Sequence, residues 1–415
     1  MDTVANTLSQ REDGRLDLTE IARSLLENLV NDVMDEQAAE LAGEEGTSRN
    51  GYRERRLLTQ VGEIVLRIPK LREGSYFPED VIGRWSRTDT ALASAVCEMW
   101  AQGISTRKVE KALEHLGVAE MSRSRVSRLC ASLDEQVSAL ASRDLSGTRW
   151  PYLWLDATYA SCREAGAARS FAVVVAVAAS SEGERRIVGI SQIDVESYVA
   201  WRDFLLSLRA RGLAGVELVT SDDHAGLVRA VREVMLGASW QRCIAHFERN
   251  VAQRCRTKGL GSAVVSALKA AFAETDPTLV RAGYAKATSL IAEHDPAGAE
   301  LLADAEADVL SYLDFPSEHR HWIRTNNVCE RLNCEIKRRA RVVQVFPSAK
   351  SLIRLVGAVC CDQDDAWIGA KNFIDARSLA NLERMRPSRD RPEERELARV
   401  AAAVKEAFDR KLRAA

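Results

Sequence analysis

The sequence lacks most features that mark membrane, secreted or generally nucleic-acid-binding proteins. Its longest apolar run, residues 171–179, is too short to span a bilayer, and its first residues show neither the basic nor the apolar part of a signal peptide. The 9 cysteines are an odd number without a CxxC pair, so we expect a reducing, cytoplasmic compartment. Because the net charge is only −2, any contact with a polyanion has to come from local basic clusters.

Signatures of several large enzyme classes are missing as well. The sequence has no glycine-rich P-loop and no GxSxG elbow, which argues against P-loop nucleotide hydrolases and serine hydrolases. It also has no internal repeat and no low-complexity tract. A length of 415 residues with 46% hydrophobic residues predicts two or three globular domains.

The N-terminal third has the pattern of helices around a small β segment. Apolar residues at helical spacing predict a helix over residues 16–43, either packed on its own chain or used for association. Alternation in VGEIVLRIP, residues 61–69, predicts a strand or small hairpin. Three short helical patterns with glycine-bearing turns follow, as in a helix-turn-helix arrangement. The third opens with Arg123, Arg125 and Arg128, as a DNA-recognition helix would, although a plain bundle with an exposed basic face fits equally well.

The middle of the chain predicts a mixed α/β sheet covered by helices. YLWLDATYA, RSFAVVVAVAA and ERRIVGISQI have the pattern of three consecutive strands, and a helix and a fourth strand, VELVTS, come next. The first of these strands ends at Asp156, and the fourth ends at Asp222 and Asp223. Consecutive side chains of a strand point to opposite faces, so only one of the last two acids can face a shared site.

A third acid, Glu330, lies in the later stretch RTNNVCERLNCEIKRRARVV, where amides surround it and a basic run follows. Acids at neighbouring strand ends repel each other unless a cation offsets their charge, and Mg²⁺ prefers carboxylate, water and phosphate oxygens. We therefore expect Asp156, one of the neighbours Asp222 and Asp223, and Glu330 to hold two divalent ions for phosphoryl transfer. The basic run expected to hold the DNA strand beside them comprises Lys337, Arg338, Arg339 and Arg341. The alternative is that the acids cap turns or helices, or belong to a solvated salt-bridge pattern.

Two histidines lie near these acids in the sequence. Cys243 and His246 form a CxxH pair, but no convincing second pair of zinc ligands accompanies them, so we expect His246 to be structural or to hydrogen-bond near the acids. His224, just after the second strand-end acid, is either a similar neighbour or a turn histidine. Trp201 and Trp322 are expected in the core rather than as base-stacking platforms.

Together these motifs resemble bacterial insertion-sequence transposases of the Mutator-like family. The matching stretches include GYRERRLLTQVGEIVLRIPKLREGSYFPE, GISTRKVEKALEHLG, SRSRVSRLC, LWLDATY, ARGLAGVELVTSDDHAGL, GASWQRCIAHFERN and RTNNVCERLNCEIKRRARVVQVFPS, between about residues 50 and 367. The resemblance implies an α/β, RNase H-like (retroviral-integrase-like) catalytic core with an all-helical insertion, and a mainly helical N-terminal DNA-binding region. By position, it places a DDE triad at Asp156, Asp222 and Glu330 and the family's CxxH signature at Cys243 and His246. TNNVCE departs from the family by one extra residue before the Glu.

The resemblance also implies an activity and partners. A transposase of this kind would use Mg²⁺ or Mn²⁺ to cleave DNA at the terminal inverted repeats of its element and to join the freed end to target DNA. It would work as a homodimer or larger assembly, in the bacterial cytoplasm. A nuclease with the same core that joins no strands, and a DNA-binding repressor derived from a transposase, are the alternatives.

The corresponding division of the chain has seven segments. They are an N-terminal helical segment with a potential association role (1–46), a small β-containing segment (47–85), a helix-turn-helix-like region (86–145), the first part of the core (146–254), the helical insertion (255–320), the second part of the core with the Glu helix (321–385) and a charged tail (386–415).

Overall fold

The computed structural model of this chain describes residues 16–44, 46–78, 90–115, 118, 121–164, 167–193, 196–368, 370, 372–380, 382 and 392–414. Contacts divide the chain into unit 1, residues 1–134, and unit 2, residues 135–415.

The described helices and strands follow the chain in this order. They are α1 (Leu18–Glu44), β1 (Arg49–Thr59), β2 (Gly62–Leu71), α2 (Thr90–Ala101), α3 (Thr106–His115), α4 (Arg123–Leu129), α5 (Leu133–Ser142), β3 (Tyr152–Glu164), β4 (Ala167–Ala179), β5 (Arg185–Ile193), α6 (Tyr198–Ala210), β6 (Leu218–Ser221), α7 (Ala225–Val234), β7 (Ser239–Arg242), α8 (Ile244–Arg254), α9 (Lys258–Phe272), α10 (Pro277–Ala292), α11 (Pro296–Val309), α12 (Ser317–Ile323), α13 (Asn327–Val343), β8 (Val345–Phe346), α14 (Ala349–Ile368), α15 (Ala376–Ala380) and α16 (Glu394–Arg413).

Unit 1 begins with α1 packed on an antiparallel hairpin of β1 and β2, as the helical and alternating patterns predict. Met34 of the helix and Leu66 of the hairpin are buried in one apolar cluster. Asn31 is also buried there, and its amide pairs with β2, donating to the carbonyl of Val65 at 3.0 Å and accepting from the N–H of Arg67 at 2.7 Å. The buried amide therefore aligns helix and hairpin without leaving a polar group unpaired.

Short helices form the rest of unit 1. The third of the predicted helices is split, because α4 is followed by a 3₁₀ turn over Cys130–Ser132 before α5 begins. Ser122 caps α4, its hydroxyl accepting the N–H of Arg125 at 3.3 Å, which is the usual role of serine at a helix start.

Unit 2 contains the mixed sheet expected from the sequence. Its strand order is β5-β4-β3-β6-β7, with β8 pairing beside the far end of β3. β3, β4 and β5 are antiparallel, whereas β6 and β7 run parallel to β3. The short strands β7 and β8 were not predicted.

Helices cover both faces of this sheet. Leu153 and Leu155 of β3 point into an apolar core that also contains residues of α6 and α7. Gly226 at the start of α7 permits a close approach to the start of α6, because a Cβ there would lie 2.7 Å from the backbone nitrogen of Tyr198. The other face, which carries Trp154, is covered by α13 and α14.

Helices α8 to α12 occupy the stretch between β7 and α13, and α9 to α11 lie within residues 255–320, where the resemblance implies an all-helical insertion. The Arg/Glu-rich composition of the tail predicts a solvated helix or a partly disordered segment; α16 is indeed a helix, but it is not fully solvated, because it packs against α9 and α10. Val400, Val404 and Phe408 lie at helical spacing and are buried in this contact. Within the described residues, no helix is both long enough and apolar enough to cross a membrane.

Candidate active site

Asp156 and Asp222 reach the same region because β3 and β6 are parallel neighbours. The pairing aligns Trp154 with Thr220, and the two acids each follow two residues later. Adjacent strands lie about 4.8 Å apart and side chains repeat every second residue, so equivalent positions on the two strands project side by side. The parallel pairing therefore brings the two carboxylates close to each other. Asp222 directly follows the end of β6, but the expectation that Asp156 ends its strand was wrong, because β3 continues to Glu164 in its pairing with β4.

Asp156 is a buried carboxylate with fixed hydrogen bonds. Only 8% of the residue is exposed. One oxygen accepts the N–H of Ala157 at 3.0 Å, and the other accepts the side-chain amide N–H of Asn333 at 2.8 Å. Burial and, after it, the negative charges of Asp222 and Glu330 together raise the pKa of Asp156 to about 7, although the two hydrogen bonds act in the opposite direction. The protein thus holds Asp156 in one orientation while making its ionisation costly.

Asp222 lies just beyond the end of β6. Burial raises its pKa, and the nearby charge of Glu196 adds to the effect, whereas His246 and His224 oppose it. The neighbouring Asp223 makes a salt bridge with Arg242 at 3.0 Å, a partner that Asp222 does not share. The two consecutive acids therefore have different environments, in agreement with their alternation along the strand.

Glu330 lies in the first turn of α13. Its carboxylate is ion-paired with Arg249 of α8 and lies 3.8 Å from the Nε2 of His246. Glu330 is near enough for its charge to raise the pKa of Asp156. The structure therefore brings the late acid beside the strand-end acids, with a basic residue engaged on it.

Cys243 of the CxxH pair fixes the backbone directly before α13. The Sγ of Cys243 is buried and accepts the backbone N–H of Asn326 at 3.2 Å. The side chain of Asn326 then donates to the carbonyl of Leu155 at 2.7 Å, next to Asp156. Cys243 is therefore structural in this arrangement.

The histidines keep nitrogen atoms without partners. His246 and His224 each have a buried Nδ1 with no hydrogen-bond partner in the described structure. Burial, followed by the charge of Arg249, lowers the pKa of His246. A neutral His246 beside Glu330 can donate or accept a proton at the Nε2 that faces the carboxylate.

Sequence reasoning missed Asn326 and Asn333 as contributors to the site, and it considered Arg249 only as a phosphate contact or a solvated side chain. The only signal for the two amides was their position four residues before and three residues after Glu330 in NNVCERLN, which places them about one helical turn from it. Nothing in the sequence indicated that Arg249 faces Glu330, since the two are 330 − 249 = 81 residues apart.

The donor atoms of Asp156 and Asp222 fit a hard divalent cation, which prefers carboxylate oxygens. A cation would also offset the burial and the neighbouring negative charges that raise their pKa values. The buried Oδ1 of Asn333 has no hydrogen-bond partner and adds an acceptor beside them. No group of three or more His, Cys, Asp or Glu side chains is arranged for a metal in the part of the chain that is described. Glu330 would have to leave Arg249 to join the two aspartates.

Most of the basic run on α13 reaches the surface, with one exception. Lys337, Arg338 and Arg341 are exposed, and Arg338 pairs with Glu335 at 2.7 Å. Arg339 is instead buried, and it contacts Glu335 at 2.8 Å and Asp362 at 3.3 Å. The prediction that Arg339 contacts DNA is therefore wrong for this structure, because its guanidinium is turned inward onto two carboxylates.

The arginines at the start of α4 lie in unit 1. Arg123 and Arg128 are exposed and Arg125 is partly buried. Arg123 is ion-paired with Glu110 of α3 at 3.2 Å. An exposed pair of this kind exchanges readily with other partners, so the role of these arginines in DNA binding stays a prediction.

The two tryptophans that were predicted to be core residues differ in their exposure to solvent. Trp201 is fully buried, as predicted. Trp322 is 37% exposed, so its assignment as a core residue was wrong.

Comparison with known proteins gives a consistent match over most of the chain. Residues 3–370 match the family model described as "Transposase, Mutator family". The chain is 37% identical over 381 residues to the transposase for insertion sequence element IS1081 of Mycobacterium tuberculosis, covering 90% of this chain and 92% of the relative. It is 36% identical to the transposase of ISRM5 from Rhizobium meliloti, covering 91% and 94% of the two chains. It is 35% identical to the transposase of IS256 in transposon Tn4001 from Staphylococcus aureus, covering 86% and 92%.

Proposed function

Because this chain belongs to the Mutator family of transposases, we propose that it cleaves DNA at the ends of its own insertion sequence and transfers the freed strand to target DNA, with Asp156, Asp222 and Glu330 as catalytic residues. The observation that carries the proposal is the pair of carboxylates on neighbouring parallel strands, Asp156 buried and Asp222 partly buried, where the charge of Asp222 opposes ionisation of Asp156. Like charges held close together disfavour ionisation unless a cation offsets them, and a pKa perturbed by burial and a like charge is typical of functional sites.

The contacts of each site residue indicate its role in the proposed reaction. Asp156 and Asp222 would hold the divalent ions, and Asn333 keeps the Asp156 carboxylate oriented. Mg²⁺ or Mn²⁺, when bound, activates the attacking oxygen and stabilises the leaving oxygen of an in-line phosphoryl displacement. Glu330 completes the acidic site after it separates from Arg249. The guanidinium of Arg249 is then free to pair with a phosphate oxygen of the DNA strand.

The topology supports an RNase H-like core for this chemistry. Three antiparallel strands, β3 to β5, are followed by parallel strands β6 and β7. The helices α8 to α11 intervene before the helix that bears Glu330, in keeping with an insertion within the core. The first acid lies on the central strand, and the second directly follows its parallel neighbour.

DNA is proposed to follow the exposed basic side chains. Lys337, Arg338 and Arg341 lie on the same helix as Glu330, so a strand held there would reach the acids. Arg123, Arg125 and Arg128 are proposed to contact the terminal inverted repeats. Phosphate contacts of this type fix the position of the DNA, whereas base contacts supply specificity.

Joining two element ends requires at least two copies of the chain, and α1 offers a surface for that assembly. Leu18, Leu25 and Leu29 of this helix are 71%, 47% and 62% exposed. Leucines at this spacing form an apolar stripe on one side of a helix, which suits packing against a second helix. We therefore include a homodimer or larger assembly in the proposal.

The test is incubation of the full chain with Mg²⁺ and DNA that carries the ends of its element, with products mapped to the nucleotide. Wild-type protein should cut at the ends and join pre-cleaved ends to target DNA. Asp156→Ala should abolish both reactions and leave end binding intact. Asp223→Asn is the matched control, since Asp223 is paired with Arg242, and it should retain activity.

Two outcomes would contradict the proposal. Cutting without joining of pre-cleaved ends would indicate a nuclease with the same core. Loss of end binding together with cleavage in Asp156→Ala would show that the carboxylate is structural.

A further inference from the structure

A cavity of about 300 Å³ lies beside the first turns of α13. We call it the aromatic pocket, and the lining residues that matter here are Arg185, Trp322, Asn327, Arg331, Trp367 and Phe373. No Asp or Glu lines it among the described residues. Its volume is at the lower end of the range for small-molecule sites, so it can admit one planar group but not a duplex.

The pocket combines aromatic rings with arginines. The guanidinium of Arg185 lies 3.9 Å from the ring centre of Trp367 and 4.6 Å from that of Phe373. The rings of Trp322 and Phe373 lie 4.4 Å apart. The Nε of Arg185 is buried and has no hydrogen-bond partner in the described structure. A cation stacked on rings, with an unused donor, is suited to an anionic ligand that also stacks.

The positive charges of Arg185 and Arg331 together favour binding of an anion. Burial, followed by the neighbouring charge of Arg331, lowers the pKa of Arg185 to about 10. Arg331 is exposed on α13. Two positive charges held close together without a carboxylate between them favour a phosphate as their counter-ion.

The pocket lies close to the catalytic acids. Trp154 packs on Phe373 with ring centres 5.8 Å apart and donates its indole N–H to the backbone carbonyl of Trp322 at 3.3 Å. Trp154 precedes Asp156 by two residues, about 6.6 Å along the same face of β3. Arg331 directly follows Glu330 in α13. A DNA strand at the acids would therefore pass the mouth of the pocket.

We propose that the aromatic pocket binds one unpaired nucleotide of the DNA strand next to the scissile phosphate, with the base on the rings of Trp322 and Phe373 and the phosphate on Arg331. The proposal rests on the proposed function, because it names the DNA conformation that the same site takes. Stacking on aromatic rings is tolerant of sequence, so the pocket would select for an unpaired base and not for its identity. Extrusion of a base costs a few kcal/mol in a paired duplex and least at a mismatch.

The test compares the affinity of the full-length protein for two DNA ends that differ in one position. One is fully paired, and the other has a single mismatch next to the cleavage site. Wild-type protein should bind the mismatched end more tightly. Trp322→Ala should weaken binding of the mismatched end by about 5-fold to 100-fold, the range that corresponds to the stacking of one base, and change binding of the paired end less.

Arg331→Ala is a second variant that does not depend on the packing of Trp322, and it should also reduce the preference for the mismatched end. Leu236→Ala and Arg395→Ala are the matched controls, because these side chains are exposed, Leu236 at 78% and Arg395 at 82%. Both controls should keep the wild-type preference. A free nucleoside monophosphate should not compete with the DNA at concentrations that leave paired-end binding unchanged. Efficient competition would assign the pocket to a small nucleotide and overturn the proposal.

The remaining outcomes separate this inference from the proposed function. If wild-type protein binds and cuts element ends but shows no preference for the mismatch, the nucleotide pocket is wrong and the transposase activity stands. The same holds if both variants keep the preference. If wild-type protein neither binds nor cuts the ends, both proposals are wrong.

Discussion

Replacing Asp156 by asparagine should stabilise the metal-free protein at alkaline pH. The pKa of Asp156 is about 7 compared with an ordinary 3.8, so the folded state keeps its proton over a range in which the unfolded chain has lost it. The contribution of this group to stability is complete below about pH 4 and is lost as pH rises to about 7. A difference of 7 − 3.8, about 3.2 pKa units at 1.36 kcal/mol each, sets an upper limit of about 4 kcal/mol.

The surroundings can accommodate the new amide. One oxygen of Asp156 accepts the N–H of Ala157, and an asparagine oxygen can do the same. The new NH₂ group would face Asn333, whose Oδ1 has no partner, so rotation of the Asn333 amide would supply an acceptor. We therefore expect a gain of about 1–4 kcal/mol at pH 8 and almost none at pH 4.

The assay is denaturant unfolding of wild-type and Asp156→Asn protein from pH 4 to pH 8 in the presence of a chelator. The two stability curves should meet near pH 4 and separate as pH rises. Addition of Mg²⁺ should then stabilise the wild type more than the variant, because the ion binds only the folded site. Parallel curves across the pH range, or a variant that is less stable at pH 8, would refute the account of Asp156 as a buried and electrostatically opposed acid.

Three further predictions concern other contacts. Asn333→Leu removes a hydrogen bond that lowers the pKa of Asp156, so the acid limb of the pH–rate profile for cleavage should move to higher pH. The double change Lys337→Ala and Arg341→Ala should reduce the slope of log affinity against log salt by about 2 units, if each side chain neutralises one phosphate. Phe408→Ala should destabilise the protein by about 3–5 kcal/mol in denaturant unfolding, since this side chain is 1% exposed and packs on His294.

For each of these predictions, one result would contradict the reasoning, and two of them have a control variant. An acid limb that stays in place after Asn333→Leu would separate that amide from the ionisation of Asp156. Arg395→Ala should leave the salt slope unchanged, and an unchanged slope in the double variant would remove α13 from the DNA path. Leu236→Ala should alter stability by less than about 0.5 kcal/mol, and a similarly small effect of Phe408→Ala would mean that α16 is not anchored by its buried side.

Much of the secondary structure could be predicted from local pattern. The alternation in VGEIVLRIP and the continuous apolar run in RSFAVVVAVAA both correspond to strands, β2 and β4. The short strand β7 could not be predicted in this way. It spans only Ser239–Arg242, too few residues for a periodic signal, and it forms because β6 offers its parallel edge.

The environment of individual side chains was less predictable. Arg339 and Arg338 are adjacent in one basic run, yet Arg339 is buried on two carboxylates and Arg338 is exposed. The direction of a side chain on a helix follows from which neighbouring element covers that side, here α14, and Asp362 comes from that helix. Trp322 is exposed for the same kind of reason, since no described element covers it completely.

The sequence by itself determined the chemical types of the site and the local form of the segments that carry them, because helix and strand periodicity and capping residues are properties of neighbouring residues. Only the tertiary structure decided that Asp156 and Asp222 project side by side, that Asn333 orients one of them, and that Arg249 engages Glu330. Those relations join residues tens to more than a hundred positions apart. They depend on strand order and helix packing, which arise from the summed burial of the whole unit and not from any local stretch.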